Sequence, residues 1–259
     1  MKPLWRHILA AVLLLALAAV WILSDHAWAR QHRRKTCQGV QTTILDSVSR
    51  RFVSVEDVSD WMKEYGTYVG APLDSIDLQK VETLLDGKSA VRKSQAWLGD
   101  DGYLHVELTQ REPVIRFQKG QEGFYADAEG FLFPLQSRFT ARVPIVDGAI
   151  PVTSAKGYKG EAATPQEQEW IRLMLGLVDY LKTHPVWMET IGQMTVSRSG
   201  DLVLVPREGK ERFILGTPTG LDDKFGRIRK YYEYIAPNQE EGYATVDVRF
   251  GGQIICRKK

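Results

Sequence analysis

The side chains able to do chemistry are few and badly spaced for it. His7, His26, His32, His105 and His184 stand singly, with no HExxH or other ligand spacing that would set two imidazoles on one helix face. No serine sits in a G-x-S-x-G elbow. Gly87-Lys88-Ser89 ends like a phosphate loop, but residue 82 is Glu where the first glycine belongs, and the segment follows a helical stripe. Cys37 and Cys256 lie far apart, without a C-x-x-C. They read as two buried thiols, since a disulfide needs a short Cα separation that the sequence does not display. Asp and Glu fall on solvated faces and helix starts. These observations predict a protein that is not an enzyme, with no cofactor, no metal and no small-molecule substrate. The dense aromatics Tyr231, Tyr232 and Tyr234 suggest contact instead, with the first two facing a sheet and Tyr234 outward.

The elements that carry these residues begin with one apolar run. Residues 8–23, ILAAVLLLALAAVWIL, contain no charge, Pro or Gly, and Trp5, Trp21 and Trp28 stand near its ends. With its flanks the run approaches the roughly 17–25 residues that cross a bilayer. A signal peptide is the rival reading, because Lys2 and Arg6 make a positive start and Ala27-Trp28-Ala29 a small-x-small site. The uninterrupted run exceeds the usual apolar core of about 7–15 residues, and charges crowd the cleavage point, so an uncleaved anchor is expected. Lysines and arginines on both sides leave the topology open by charge alone. Net charge is +2, which argues against nucleic acid as a partner; the basic residues 30–35 read as a juxtamembrane patch.

Past that patch the pattern is α+β. A strand over 40–45 precedes a helix capped by Ser54, with Asp57 closing the box. A second helix opens at Asp77, with Leu78, Val81, Leu84 and Leu85 on one stripe. Strands over 91–98 and 103–109 follow, the second alternating Leu104, Val106 and Leu108 with His105, Glu107 and Thr109. The remainder is mainly β: short strands over 114–117, 123–126, 131–135 and 143–146, then a helix from Thr164-Pro165-Gln166-Glu167. A meander over 191–197, 202–206 and 212–215 leads to a helix over 221–236. A last hairpin, 243–250 and 253–257, is expected to turn at Gly251-Gly252. Five segments result: a tail 1–7, a transmembrane helix 8–24, a basic linker 25–36, a first domain 37–111, and a mixed, mainly antiparallel β domain with two helices over 112–259.

Certain stretches resemble the FtsQ/DivIB family of bacterial cell-division proteins. They are Gly70-Ala71-Pro72-Leu73 through Leu85, Gln110-Arg111-Glu112-Pro113-Val114, Tyr125-Ala126-Asp127 with Gly130-Phe131-Leu132-Phe133-Pro134, Pro144 to Gly148, and Val246-Asp247-Val248-Arg249-Phe250. The β-α-α-β-β start is similar to a POTRA module. Gln110 stands where the family usually has Glu, and the N-terminal tail is short for it. The resemblance implies a non-enzymatic scaffold of the division apparatus. It would be a single-pass protein of the cell inner membrane, N-terminus in the cytoplasm and bulk in the periplasm, enriched at the septum. It would bind FtsB and FtsL and link divisome assembly to septal wall synthesis. Three rivals stand beside it: a POTRA-bearing component of outer-membrane assembly or secretion, a secreted enzyme, against which the empty motif search counts, and a membrane-anchored periplasmic binding protein. A final strand left at a sheet edge can accept a partner strand through its backbone. The expected partner-binding residues are Arg249, Phe250, Gly252, Gln253, Ile254 and Ile255, with Tyr234 beside them, and proline at Ile254 is expected to block binding.

Overall fold

The computed structural model describes residues 12–25, 35–47, 51–66, 68–153, 157–238 and 242–258. Helix α1 covers residues 12–25, and every side chain along it is exposed, Leu15 at 71% and Trp21 at 74%. Among the described residues no helix is long and apolar enough to cross a membrane. The start of the expected span, 8–11, lies outside the described residues, as do the tail 1–7 and linker residues 26–34. The rest of the chain forms two compact units, divided between Gln110 and Arg111.

The first unit runs β1 (Gly39–Ile44), α2 (Val55–Tyr65), α3 (Leu78–Asp86), β2 (Val91–Leu98) and β3 (Tyr103–Gln110). Its sheet has the order β1-β3-β2. Two helices intervene between β1 and its neighbour, so that pair is parallel, while the short turn after β2 makes the other antiparallel. The caps act as the sequence requires. Ser54 accepts the Asp57 N–H at 3.2 Å while the Asp57 carboxylate accepts the Ser54 N–H at 2.9 Å. Asp77 caps α3 through the Lys80 N–H at 3.0 Å. Val58, Met62, Val81 and Leu85 bury one helical face each, and Leu104, Val106 and Leu108 bury one face of β3. Each such side chain contributes about 1.5–3 kcal/mol by leaving water.

The second unit carries β4 (Pro113–Lys119), β5 (Glu122–Asp127), β6 (Leu132–Pro134), β7 (Ile145–Gly148), α4 (Pro165–Thr183), α5 (Pro185–Thr190), β8 (Ile191–Val196), β9 (Leu202–Pro206), β10 (Arg212–Gly216), α6 (Leu221–Lys230), β11 (Thr245–Asp247) and β12 (Ile255–Arg257). They make one nine-stranded sheet of order β12-β11-β10-β9-β8-β7-β4-β5-β6. Pairs β4/β7, β7/β8 and β10/β11 are parallel and the others antiparallel. Ile171, Met174, Leu177, Val178 and Leu181 of α4 and Phe225, Ile228 and Tyr231 share a core with Phe117, Val146, Leu204, Phe213 and Val246. Thr164, Pro165 and Glu167 start α4 with the expected capping box.

Two expectations are corrected. The helix expected over 221–236 ends at Lys230; Tyr231–Ile235 is a π-helical turn and Ala236–Asn238 a 3-10 turn. Residues 185–190, for which the sequence pattern made no assignment, form α5, with Pro185 at a first helical position where no N–H is needed. The terminal hairpin is not closed by a two-residue glycine turn. Thr245, Val246 and Asp247 face Arg257, Cys256 and Ile255, so residues 248–254 form a long connection. Arg249, bound to Asp247 and Asp201, bends the chain away before a tight turn can form.

Candidate functional site, a sheet edge held by an arginine bracket

Alternation along β11 fixes which way β12 faces. The Arg212 N–H donates to the Ala244 carbonyl at 3.0 Å and the Val248 N–H to the Ile214 carbonyl at 3.1 Å. The Ala244 carbonyl and the backbone groups of Val246 and Val248 therefore turn toward β10, while the Ala244 N–H, which donates to the Arg257 carbonyl at 2.9 Å, and the groups of Thr245 and Asp247 turn toward β12. In β12 the N–H and C=O of Cys256 then point away from β11. Among the described residues β11 alone pairs with β12. The other end of the sheet is different. Leu132 of β6 exchanges both bonds with Gly160, at 2.8 and 3.0 Å, and Pro134 has no N–H to offer.

The connection before β12 is pinned from two sides. The Arg249 Nε donates to Asp247 Oδ1 at 3.0 Å, one terminal nitrogen to Asp247 Oδ2 at 2.6 Å, and the other to Asp201 Oδ2 at 3.0 Å. Its stem passes over Gly216, where φ is +71° and a Cβ would meet Cγ and Cδ at 2.9 Å. Arg227 of α6 donates Nε and a terminal N–H to the Val248 carbonyl at 3.0 and 2.9 Å. Burial pushes the Asp247 carboxyl up, but the Arg249 hydrogen bonds and charge outweigh it and hold the group below the usual carboxylate range. Asp247 in turn raises the Arg249 guanidinium. Burial pushes the Cys256 thiol up, away from the thiolate form. Both thiols are free.

The residues singled out from sequence divide by role. Arg249 is a bracket within the unit, its head already committed to two carboxylates. Phe250 is 45% exposed, its ring 5.2 Å from that guanidinium. Gly252, at φ +74°, and Gln253 are exposed in the connection. Ile254 precedes the strand and packs partly on the core; Ile255 lies on β12 opposite Asp247, half-buried. Tyr234 is 68% exposed on the separate π-helical turn, while Tyr231 is buried and Tyr232 packs on Phe213 at 5.6 Å. Asp201, Gly216, Arg227 and Cys256 were not foreseen. The Asp247-x-Arg249 spacing was a signal for the first pairing, but partners from β9 and α6 are remote in sequence. Among the described residues no group of three or more His, Cys, Asp or Glu could hold a metal ion.

The chain matches the family model described as FtsQ/DivIB, C-terminal related, over residues 112–257. The chain belongs to the FtsQ/DivIB family. Residues 35–109 match the model of a POTRA-like domain. No curated protein matches the chain. FtsQ/DivIB proteins are non-enzymatic scaffolds of cell division that act through protein–protein contacts.

Proposed function

We infer that this FtsQ/DivIB protein is a bitopic inner-membrane scaffold that binds FtsB and FtsL by strand addition at β12, linking divisome assembly to septal wall synthesis. The observation that carries the reading is the outward-facing backbone of Cys256 on a strand with one neighbour among the described residues, at the end of the sheet opposite the edge met by Gly160. Ile255 flanks that backbone and, with the exposed Phe250 of the preceding connection, would supply side-chain selectivity; Tyr234 would be a further contact. Arg249, Gly252 and Gln253 would act by shaping the approach. Residues 8–24 would anchor the chain with the N-terminus in the cytoplasm and both units in the periplasm, at the septum. The exposed leucines of α1 support that assignment, since an apolar helix with no packed face belongs in lipid.

The structure moves the test from Ile254 to Cys256, because Ile254 precedes the strand. Cys256→Pro removes the outward donor and leaves the bonds of Ile255 and Arg257 to β11 intact. Affinity of the full chain for FtsB should fall at least about tenfold, which is the loss expected for one backbone bond near 1.4 kcal/mol. Circular dichroism should be unchanged. Normal FtsB binding by a folded variant would refute strand addition at this edge.

A further inference from the structure

The chain enters the first unit at one defined corner. The Leu73 N–H donates to the Lys35 carbonyl at 3.0 Å, the Cys37 N–H to Ala71 at 2.8 Å, and the Gly70 N–H to Cys37 at 2.7 Å. Thr36 and Pro72 form a bridge within that ladder. The turn between β2 and β3 meets the same corner, through Gln38 N–H to Gly102 O at 2.9 Å and Lys35 Nζ to Asp100 O at 3.4 Å. Ten residue steps separate Asp25, the end of α1, from Lys35, so the corner lies no more than about 35 Å of extended chain from the apolar helix.

Two large apolar side chains are exposed at this corner. Val69, 54% exposed, sits on the connection beside Gly70. Trp97, 44% exposed, stands two residues before the β2–β3 turn. One face of its indole lies against His105, with ring planes 8° apart and centroids 5.3 Å apart, which leaves the other face open. Among the described residues after α1, the other large exposed apolar side chains of the unit, Leu45 and Val55, lie beyond the far end of β1 and at the far end of α2. Trp and Lys side chains settle at a headgroup boundary, the ring among acyl carbons and the charge in water, and Lys35 reaches the turn that follows Trp97. The basic run at 30–35 adds attraction to anionic lipid. Acidic groups are also present. Asp101 is bound by His105 at 3.1 Å and by the Tyr103 N–H at 3.0 Å; Asp74 and Asp100 are exposed.

We propose that this corner of the first unit rests on the bilayer, with Val69 and Trp97 in the headgroup region. This surface depends on the anchored reading above and goes beyond it, since a tether alone leaves the unit free to stand off. The test uses the full chain in nanodiscs containing anionic phospholipid, in a Cys37→Ser, Cys256→Ser background. Spin labels are placed one at a time through Val69→Cys, Leu45→Cys and Leu15→Cys. Accessibility to oxygen, which partitions into lipid, is compared with that to a water-soluble nickel chelate. The oxygen-to-nickel ratio at position 69 should be severalfold higher than at 45, and highest at 15. Equal, water-like ratios at 69 and 45 with a lipid-like 15 would overturn the corner contact and spare the anchor. Shielding of position 69 from both agents would overturn it in favour of a protein contact. A water-like position 15 would overturn the anchor and the contact with it.

Discussion

Replacing Arg249 by Met tests whether this residue is a bracket or a direct contact. Methionine keeps an apolar stem over Gly216 and removes every donor. Asp247 loses its hydrogen bonds to the guanidinium and Asp201 loses one, while the Arg249 backbone N–H to Asp247 Oδ1, at 3.1 Å, survives. Hydrogen bonds to charged groups contribute about 1.5–3 kcal/mol each, but the Arg249 side chain is 34% exposed, which screens part of it. The expected net loss is about 2–3 kcal/mol, or roughly 5–10 °C in the melting temperature of a unit this size. The pH dependence supplies the signature. The Asp247 carboxyl is lowered in the folded state, so its contribution is fully present above the ordinary carboxylate value near 3.9 and is lost as pH falls through the folded value. The gap between wild type and R249M, measured by near-ultraviolet dichroism on the full chain, should therefore narrow from pH 6 toward pH 2. The double variant D247N/R249M should be no less stable than R249M, since it removes the stranded charge. A variant that melts like wild type at pH 7, or a gap unchanged at pH 2, would refute the bracket.

Three further outcomes are expected. Gln110 is fully buried, accepting the Val53 N–H at 2.8 Å and donating its amide to Asp46 at 3.0 Å, so Gln110→Glu sets two carboxylates face to face; it should cost the first unit about 2–3 kcal/mol in urea unfolding at pH 7, with relief as pH falls and the new carboxyl gains a proton. Leu85→Asp, at a position with no exposed surface, should abolish the thermal transition of the first unit and leave that of the second; loss of both in calorimetry would refute independent units. Gly148 has φ +93° and a Cβ there would collide with the Val196 carbonyl, so Gly148→Ala should cost at least about 2 kcal/mol, and a smaller loss in denaturant titration would show that β7 and β8 can part.

Local features were written in the sequence because their causes are local. Ser54 with Asp57, Thr164 with Pro165 and Glu167, and the alternation of Leu104, Val106 and Leu108 each act over a few residues, so the caps and faces they predict are the ones observed. The identity of Tyr231 as core and Tyr234 as surface followed from helical spacing, even though the helix gives way to a π-helical turn there. What only the tertiary structure decided is whatever depends on long-range neighbours. Strand order is one case: the pairing of β4 with β7 and of β10 with β11 is parallel, and no pattern inside either strand encodes its partner. The site is another. Val246 to Arg249 reads as continuous strand by alternation, but Asp201 and Arg227 capture Arg249 and Val248 and end β11 at Asp247. That capture makes Arg249 a structural bracket, and the alternation of β11 turns the backbone of Cys256 outward. A strand's face is set by its own residues; its edge is set by what else in the fold lies beside it.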